Sequence, residues 1–307
     1  MEFLHLIEGI RNPVLDAFFS AITYFGDELL FMVLAITVFW CFNKRDGYYI
    51  LMVGFLGTVF NQFLKLWFRI PRPWVLDPDF TIVESAREAA SGYSFPSGHT
   101  QNSVGTMASI ALVTKKNWLR GICIALLILV PFSRLYLGVH TLLDVGVAFA
   151  MALALAFAMR PVMLWADKSA ARMNAVLCIT LVITLAYLAF VSFYPFPADT
   201  DAHNLHSGTK NAYTLLGCLI GLLLGKQLDD RFTRFETDAV WWAQVIKVVL
   251  GLAGIVVIKS GLKAPLQAFL PEHAATAVRY GLMVFFASAV WPLTFRFFAR
   301  LGKQKEA

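Results

Sequence analysis

Two histidines, one aspartate and three cations stand out in residues 65–144 of an otherwise oily chain. They fall in three clusters: Lys65 with Arg72-Pro73, then Pro96-Ser97-Gly98-His99, then Ser133-Arg134 with His140 and Asp144. Each cluster sits where an apolar run begins or ends. An ionisable group beside hydrocarbon is costly unless partnered or open to water, so such residues are functional by default. Phosphoryl transfer asks for cations on the equatorial oxygens, a nucleophile in line, and an acid for the leaving oxygen. Lys65, Arg72 and Arg134 can supply the charge, and arginine offers two-point contact with phosphate. Ser97 and the N–H of Gly98, opening a helix after Pro96, add donors where anions are favoured.

Asp144 follows His140 by four residues, so on a helix its carboxylate reaches the imidazole one turn away. That contact would fix the tautomer and leave the other ring nitrogen to attack. His99 then remains as the general acid. The residue types do not choose which histidine attacks; only the Asp144 spacing leans toward His140. Taken singly, a cation at a helix end reads as well as a side chain snorkelling to headgroups. Three cations with two histidines argue for one shared site.

The pattern Lys-x6-Arg-Pro, Pro-Ser-Gly-His, Ser-Arg-x5-His-x3-Asp resembles the signature of the type 2 phosphatidic-acid phosphatase/haloperoxidase superfamily. All its positions fall within 65–144. The resemblance implies a phosphohistidine on His140, Asp144 orienting it, and His99 as the acid. It also implies that Lys65, Arg72, Ser97, Gly98 and Arg134 hold the phosphate, with no metal or other cofactor. The substrate it implies is a lipid phosphomonoester or diphosphate. Candidates are phosphatidic acid, phosphatidylglycerol phosphate, a polyisoprenyl diphosphate or a phosphosphingolipid. The Trp74-Val-Leu-Asp77 run after Arg72-Pro73, with extra C-terminal spans, resembles the glucose-6-phosphatase branch, where a soluble sugar phosphate is cleaved. Transfer of the phosphoryl group to an acceptor other than water stays open. A transporter fits less well, because the charges gather at one face and not at the midplane. Haloperoxidase chemistry does not suit a chain so committed to the membrane.

Composition sets the class. The chain is 58% hydrophobic and 15% charged, against about 25% charged in soluble domains, so an integral membrane protein is expected, its bilayer lipids its first partner. The net charge of +6 is dealt out between apolar runs and not gathered in a patch, which argues against nucleic acid. Cys41, Cys123, Cys178 and Cys218 all lie in apolar runs without paired spacing and read as reduced packing residues. The opening MEFLHLIEGIRNP lacks the basic and apolar regions of a cleaved leader.

The elements that must position the site are helices. Residues 1–26 read as two amphipathic helices lying in the interface, because neither has the roughly 20 apolar residues of a span. Nine apolar runs follow, at 27–43, 47–67, 98–114, 118–136, 140–159, 174–194, 211–226, 241–258 and 280–298. The expected fold is therefore all-α, a polytopic helical bundle of about nine spans. Residues 27–160 form the phosphatase core, and 161–307 add C-terminal transmembrane helices. With the N-terminus outside, fifteen of the 26 cations fall on one side, among them Lys44, Lys115, Arg160, Arg231, Lys303 and Lys305. The positive-inside rule makes that side cytoplasmic and turns the site outward, across a plasma (inner) membrane. The loop 68–97 reads as a lid over the site or as ordinary headgroup-level chain. Three lesser features remain. Asp199, Asp201, His203 and His206 have metal-ligand chemistry but also turn composition. Gly217, Gly221 and Gly225 suit close helix packing. Lys247, placed mid-span, must face a helix interface or a polar cavity.

Overall fold

The computed structural model describes residues 1–88, 90 and 92–301. Lys303 and Lys305, two of the cations behind the charge asymmetry, lie outside them. The described residues are 81% helical and contain no strand. The helices are α1 (Glu2–Glu8), α2 (Pro13–Thr23), α3 (Glu28–Cys41), α4 (Lys44–Phe68), α5 (Pro73–Leu76), α6 (Gly98–Val113) and α7 (Asn117–Tyr136). They continue as α8 (Leu142–Ala166), α9 (Ala170–Phe193), α10 (Ala202–Leu228), α11 (Trp241–Gly261), α12 (Lys263–Phe269), α13 (Glu272–Phe285) and α14 (Phe295–Arg300).

Among the described residues six stretches are long and apolar enough to cross a membrane: Lys44–Leu76, Asn117–Tyr136, Leu142–Ala166, Ala170–Phe193, Trp241–Phe269 and Glu272–Arg300. The pair Pro13–Gly26 and Glu28–Cys41, bent by 50°, passes jointly and makes seven. Nine were expected. The two that fall short are α6, only 16 residues long, and α10, whose apolar run is broken by Lys210, Asn211 and Lys226. The polarity of α6 has a physical reason. Thr100, Gln101, Ser103 and Ser109 are at most 2% exposed, so this helix meets other helices and needs little lipid-facing surface.

The chain forms two compact units. The first comprises Met1–Met32, Tyr49–Val162 and Phe196–Gly208. In it, α1 and α2 do more than float on a surface. Leu4, Ile7 and Phe19 bury against Phe80, Leu135, Tyr136 and Leu137. Arg11 donates from Nε to the Tyr136 carbonyl at 2.9 Å and from Nη1 to the Thr81 carbonyl at 2.7 Å. Asn12 caps α2, its Oδ1 accepting from the N–H groups of Val14 and Leu15, and Pro13 starts the helix. Leu6, Ile10, Val14 and Phe18 stay exposed on the outer face. His5 is a surface residue as expected; hydrogen bonds to Asp77 and then Glu8 raise its pKa above the usual histidine value. The loop 68–97 packs inward, with Phe80, Ile82, Ala86 and Ala90 in the same apolar cluster.

The second unit comprises Val33–Tyr48, Met163–Pro195 and the chain from Thr209 on. The glycine row does what its spacing suggests. A Cβ on Gly217 would lie 2.0 Å from the Ala277 carbonyl oxygen, and one on Gly221 2.2 Å from that of Gly281. Backbone therefore meets backbone where α10 crosses α13. Lys247 is fully buried and donates from Nζ to the carbonyls of Trp40 at 2.9 Å and Thr237 at 3.2 Å. It ties α11 to the end of α3, a structural role. No disulfide joins the four cysteines among the described residues; Cys123 and Cys218 are buried, and Cys178 is exposed.

Candidate active site

The expected site residues come from five separate elements, all within the first unit. Lys65 lies in the last turn of α4, and Arg72 directly precedes α5. Ser97 caps α6, so Gly98 and His99 are its first two residues. Arg134 is in the last turn of α7, and Asp144 is in the first turn of α8. His140 sits between those two helices. It lies within electrostatic range of Arg72, Arg134, Lys65 and His99, so the clusters converge.

The histidine and aspartate do not share a helix, which corrects the expectation from their spacing. Helix α8 starts at Leu142 because Thr141 and Asp144 cap it reciprocally. Asp144 Oδ2 accepts from the Thr141 N–H at 2.7 Å, and the Asp144 N–H donates to Thr141 Oγ1 at 3.3 Å. The cap places the carboxylate 3.6 Å from His140 Nδ1, beyond good hydrogen-bond range. Ser94 fills the gap. Its hydroxyl donates to Asp144 Oδ2 at 2.6 Å and stands 3.4 Å from His140 Nδ1. All three side chains are 2% exposed or less, so their electrostatic coupling is little screened.

The other imidazole nitrogen faces the cations. His140 Nε2 is 2.9 Å from Arg72 Nη1, which also donates to the Val139 carbonyl at 2.9 Å. Arg72 Nε donates to the Gly92 carbonyl at 2.9 Å, and Lys65 Nζ donates to the Tyr93 carbonyl at 2.5 Å. Residues 92–94 of the expected lid thus hold two cations and the serine in place. Ser97 Oγ accepts from the Thr100 N–H and hydroxyl. The Ser97 N–H donates to the Asp144 carbonyl at 3.1 Å, which binds the start of α6 to that of α8.

Arg134 is the most telling side chain. It is wholly buried and donates from Nη1 to Thr23 Oγ1 at 2.7 Å. Among the described residues its Nε and Nη2 have no hydrogen-bond partner. Those two nitrogens form one edge of the guanidinium, the edge that grips a phosphate or carboxylate with two parallel bonds. Buried donors left unmade are costly, and the charge that carries them lies within electrostatic range of His140.

His99 is met from the N-terminal segment. Its Nε2 lies 3.9 Å from Asp27 Oδ1. Gly26 backs it so closely that a Cβ there would come within 2.9 Å of both the His99 Cβ and its carbonyl oxygen. Thr23, Asp27, Ser94 and Tyr93 were all missed from sequence. None belongs to a spacing pattern, and each acts through tertiary contact alone. The cluster Asp199–His206 is used otherwise: Asp201 Oδ1 caps the start of α10 by accepting from the Asn204 N–H at 2.8 Å. Among the described residues no three His, Cys, Asp or Glu side chains gather at metal-binding distance.

Comparison with known proteins agrees with this arrangement. The PAP2 superfamily model matches residues 46–168, which hold every site residue expected from sequence. The model "PAP2 superfamily phosphatase, transmembrane extension" matches residues 213–304. The chain belongs to the PAP2 superfamily. Among its superfamily relatives, phosphatidylglycerophosphatase B of Bacillus subtilis is 30% identical over 161 residues, which are 48% of this chain and 75% of that one. The dihydrosphingosine 1-phosphate phosphatase of Schizosaccharomyces pombe is 24% identical over 284 residues, 85% of this chain and 65% of its own length. The chain therefore spans just under two thirds of that yeast relative. The crystal structure of Aquifex aeolicus LpxE is 28% identical, covering 52% of this chain and 92% of that one, with a TM-score of 0.47. Thr23, Gly26 and Asp27 precede the PAP2 match, so one wall of the site comes from outside it.

Proposed function

We propose that this protein is a membrane phosphatase that cleaves the phosphate of a lipid through a phosphohistidine on His140. The observation that carries the reading is the buried, unpaired Nε–Nη2 edge of Arg134, whose charge lies within electrostatic range of an imidazole with its Nε2 2.9 Å from Arg72. A phosphoryl group held by that edge, by Lys65 and Arg72, and by the N–H groups opening α6 meets Nε2. Attack forms the N–P bond and breaks the bond to the lipid oxygen, which takes its proton from His99. The phosphorylated imidazole is cationic, and Asp144 stabilises it through space and through Ser94. Water, losing its proton to His99, then attacks phosphorus and frees His140 with inorganic phosphate. Three cations supply the charge that phosphoryl transfer needs.

A lipid substrate is favoured by the rim. Trp67 and Phe68 follow Lys65, Val75 and Leu76 follow Arg72, and all four are 45–60% exposed. Acyl chains can lie along the whole of such a surface, whereas a sugar can stack only on its aromatic rings. The relatives named for sphingoid and glycerophospholipid phosphates point the same way. Burying four methylenes at about 0.8 kcal/mol each is worth about 200-fold. Purified protein should therefore favour lipid phosphates over glucose 6-phosphate by about that factor in kcat/KM. Equal or better turnover of the sugar phosphate would overturn the lipid assignment.

In this reading the site opens to the extracytoplasmic side, opposite the side that holds fifteen cations in the nine-span count. Ser91 in the loop 68–97 lies outside the described residues, and the exposed Glu88 of the same loop serves as the labelling position. A Glu88→Cys variant lacking Cys178 should react with an impermeant thiol reagent in intact cells. Reaction only after permeabilisation would mean the opposite orientation.

A further inference from the structure

A second cationic site lies in the unit that lacks the catalytic residues. A cleft of about 350 Å³ is lined by Lys210 of α10, Lys259 of α11, Lys263 of α12, and Glu272, Thr276 and Arg279 of α13. Four cations surround one carboxylate. Lys210 lies 3.9 Å from Glu272; Lys259, Lys263 and Arg279 have no carboxylate within 4 Å among the described residues. Arg279 is 9% exposed, and its Nε is buried without a hydrogen-bond partner. Three uncompensated positive charges lining a concave surface repel one another, and a buried guanidinium with an unmade bond adds to that cost. Nothing in the catalytic site uses these groups, since all of them belong to the other unit. An anion with several acceptor oxygens would satisfy both demands.

We propose that this cleft binds the phosphate of an anionic lipid headgroup. Helix α11 begins a stretch apolar enough to span a membrane, and it exposes Val249, Leu250, Val256 and Val257 on its outer side. Lys259 and Lys263 come within two turns of Val256 and Val257 along the chain, at the end of the apolar surface, where headgroups lie and lysine stems snorkel. A phosphate with two acyl chains can thus meet the cations while its tails lie along α11. A soluble phosphate would offer the cleft the same oxygens but no tails.

The test is binding of dioctanoyl-phosphatidylglycerol, dioctanoyl-phosphatidylcholine and inorganic phosphate to the full chain in neutral detergent. Phosphatidylglycerol is a phosphodiester, so it is not a substrate of the reaction proposed above. Arg279→Gln and the exposed pair Lys259→Gln/Lys263→Gln should each weaken phosphatidylglycerol binding by about tenfold, the loss of one charged hydrogen bond. The lysine pair should keep its melting temperature and its phosphatase turnover, and it carries the test if Arg279→Gln fails to fold. Phosphatidylcholine should bind weakly and without regard to either change. Unaltered phosphatidylglycerol affinity in the lysine pair would overturn the proposal. Inorganic phosphate binding as tightly as the lipid, with the same loss, would overturn the lipid as its source.

Discussion

His140→Ala should abolish turnover of every substrate, whereas His99→Ala should fail in a manner that depends on the leaving group. Removal of a covalent nucleophile costs on the order of 10⁶-fold in kcat. Loss of general acid catalysis costs about 10²- to 10⁴-fold. An aryl phosphate leaves without needing a proton, so it should recover part of the His99→Ala deficit and none of the His140→Ala deficit. The geometry supports this division. His140 Nε2 is turned toward Arg72 at 2.9 Å, while His99 Nε2 lies 3.9 Å from Asp27 of the N-terminal segment. Asp144→Asn should fall between the two. Its imidazole keeps its place through Ser94 and Arg72 but loses the charge that favours the phosphorylated cation. Steady-state kinetics on a lipid phosphate and an aryl phosphate, run side by side for the three variants, check the order.

Arg134→Met should separate activity from stability. The guanidinium is fully buried, two of its nitrogens have no partner, and Arg72 and Lys65 lie within range of its charge. A buried charge with no ion-pair partner carries a desolvation cost of several kcal/mol, which an apolar side chain of similar volume relieves. The melting temperature should accordingly stay level or rise. Activity should fall by about 10²- to 10³-fold for each donor lost toward the transition state. Arg134→Lys should recover the charge without the two-pronged edge and remain well below the native enzyme. Thr23→Ala removes only the acceptor for Nη1 and should cost far less. A melting temperature that drops in step with activity would make Arg134 a packing residue.

Much of this site could be read from the chain because its chemistry sits on polar residues in apolar surroundings. Lys65, Arg72, His99, Arg134, His140 and Asp144 were conspicuous for that reason, and the fold brings them together. Spacing misled where a cap intervened. Four residues between His140 and Asp144 suggested one helix, yet Thr141 starts α8 between them and Ser94 bridges the pair. Ser94, Thr23 and Asp27 had no sequence signal, since a lone hydroxyl or carboxylate in a turn has the composition of any turn. The span count suffered from a similar limit. Hydropathy measures exposure to lipid, and α6, buried among other helices, has no need of it. The glycine row of α10 was legible because close backbone approach demands the smallest residue at a fixed period.

The covalent step is the centre of this account, and trapping it is the most direct test. Phosphorus-labelled lipid phosphate is mixed with the native protein, His99→Ala and His140→Ala, and each is quenched within one turnover. Phosphohistidine is labile to acid and stable to base, so the protein is counted after each treatment. The native protein and His99→Ala should carry base-stable, acid-labile label, and His140→Ala should carry none. Label that persists in His140→Ala and vanishes in His99→Ala would reverse the two roles. A folded, active native protein that never holds label would contradict the phosphohistidine itself.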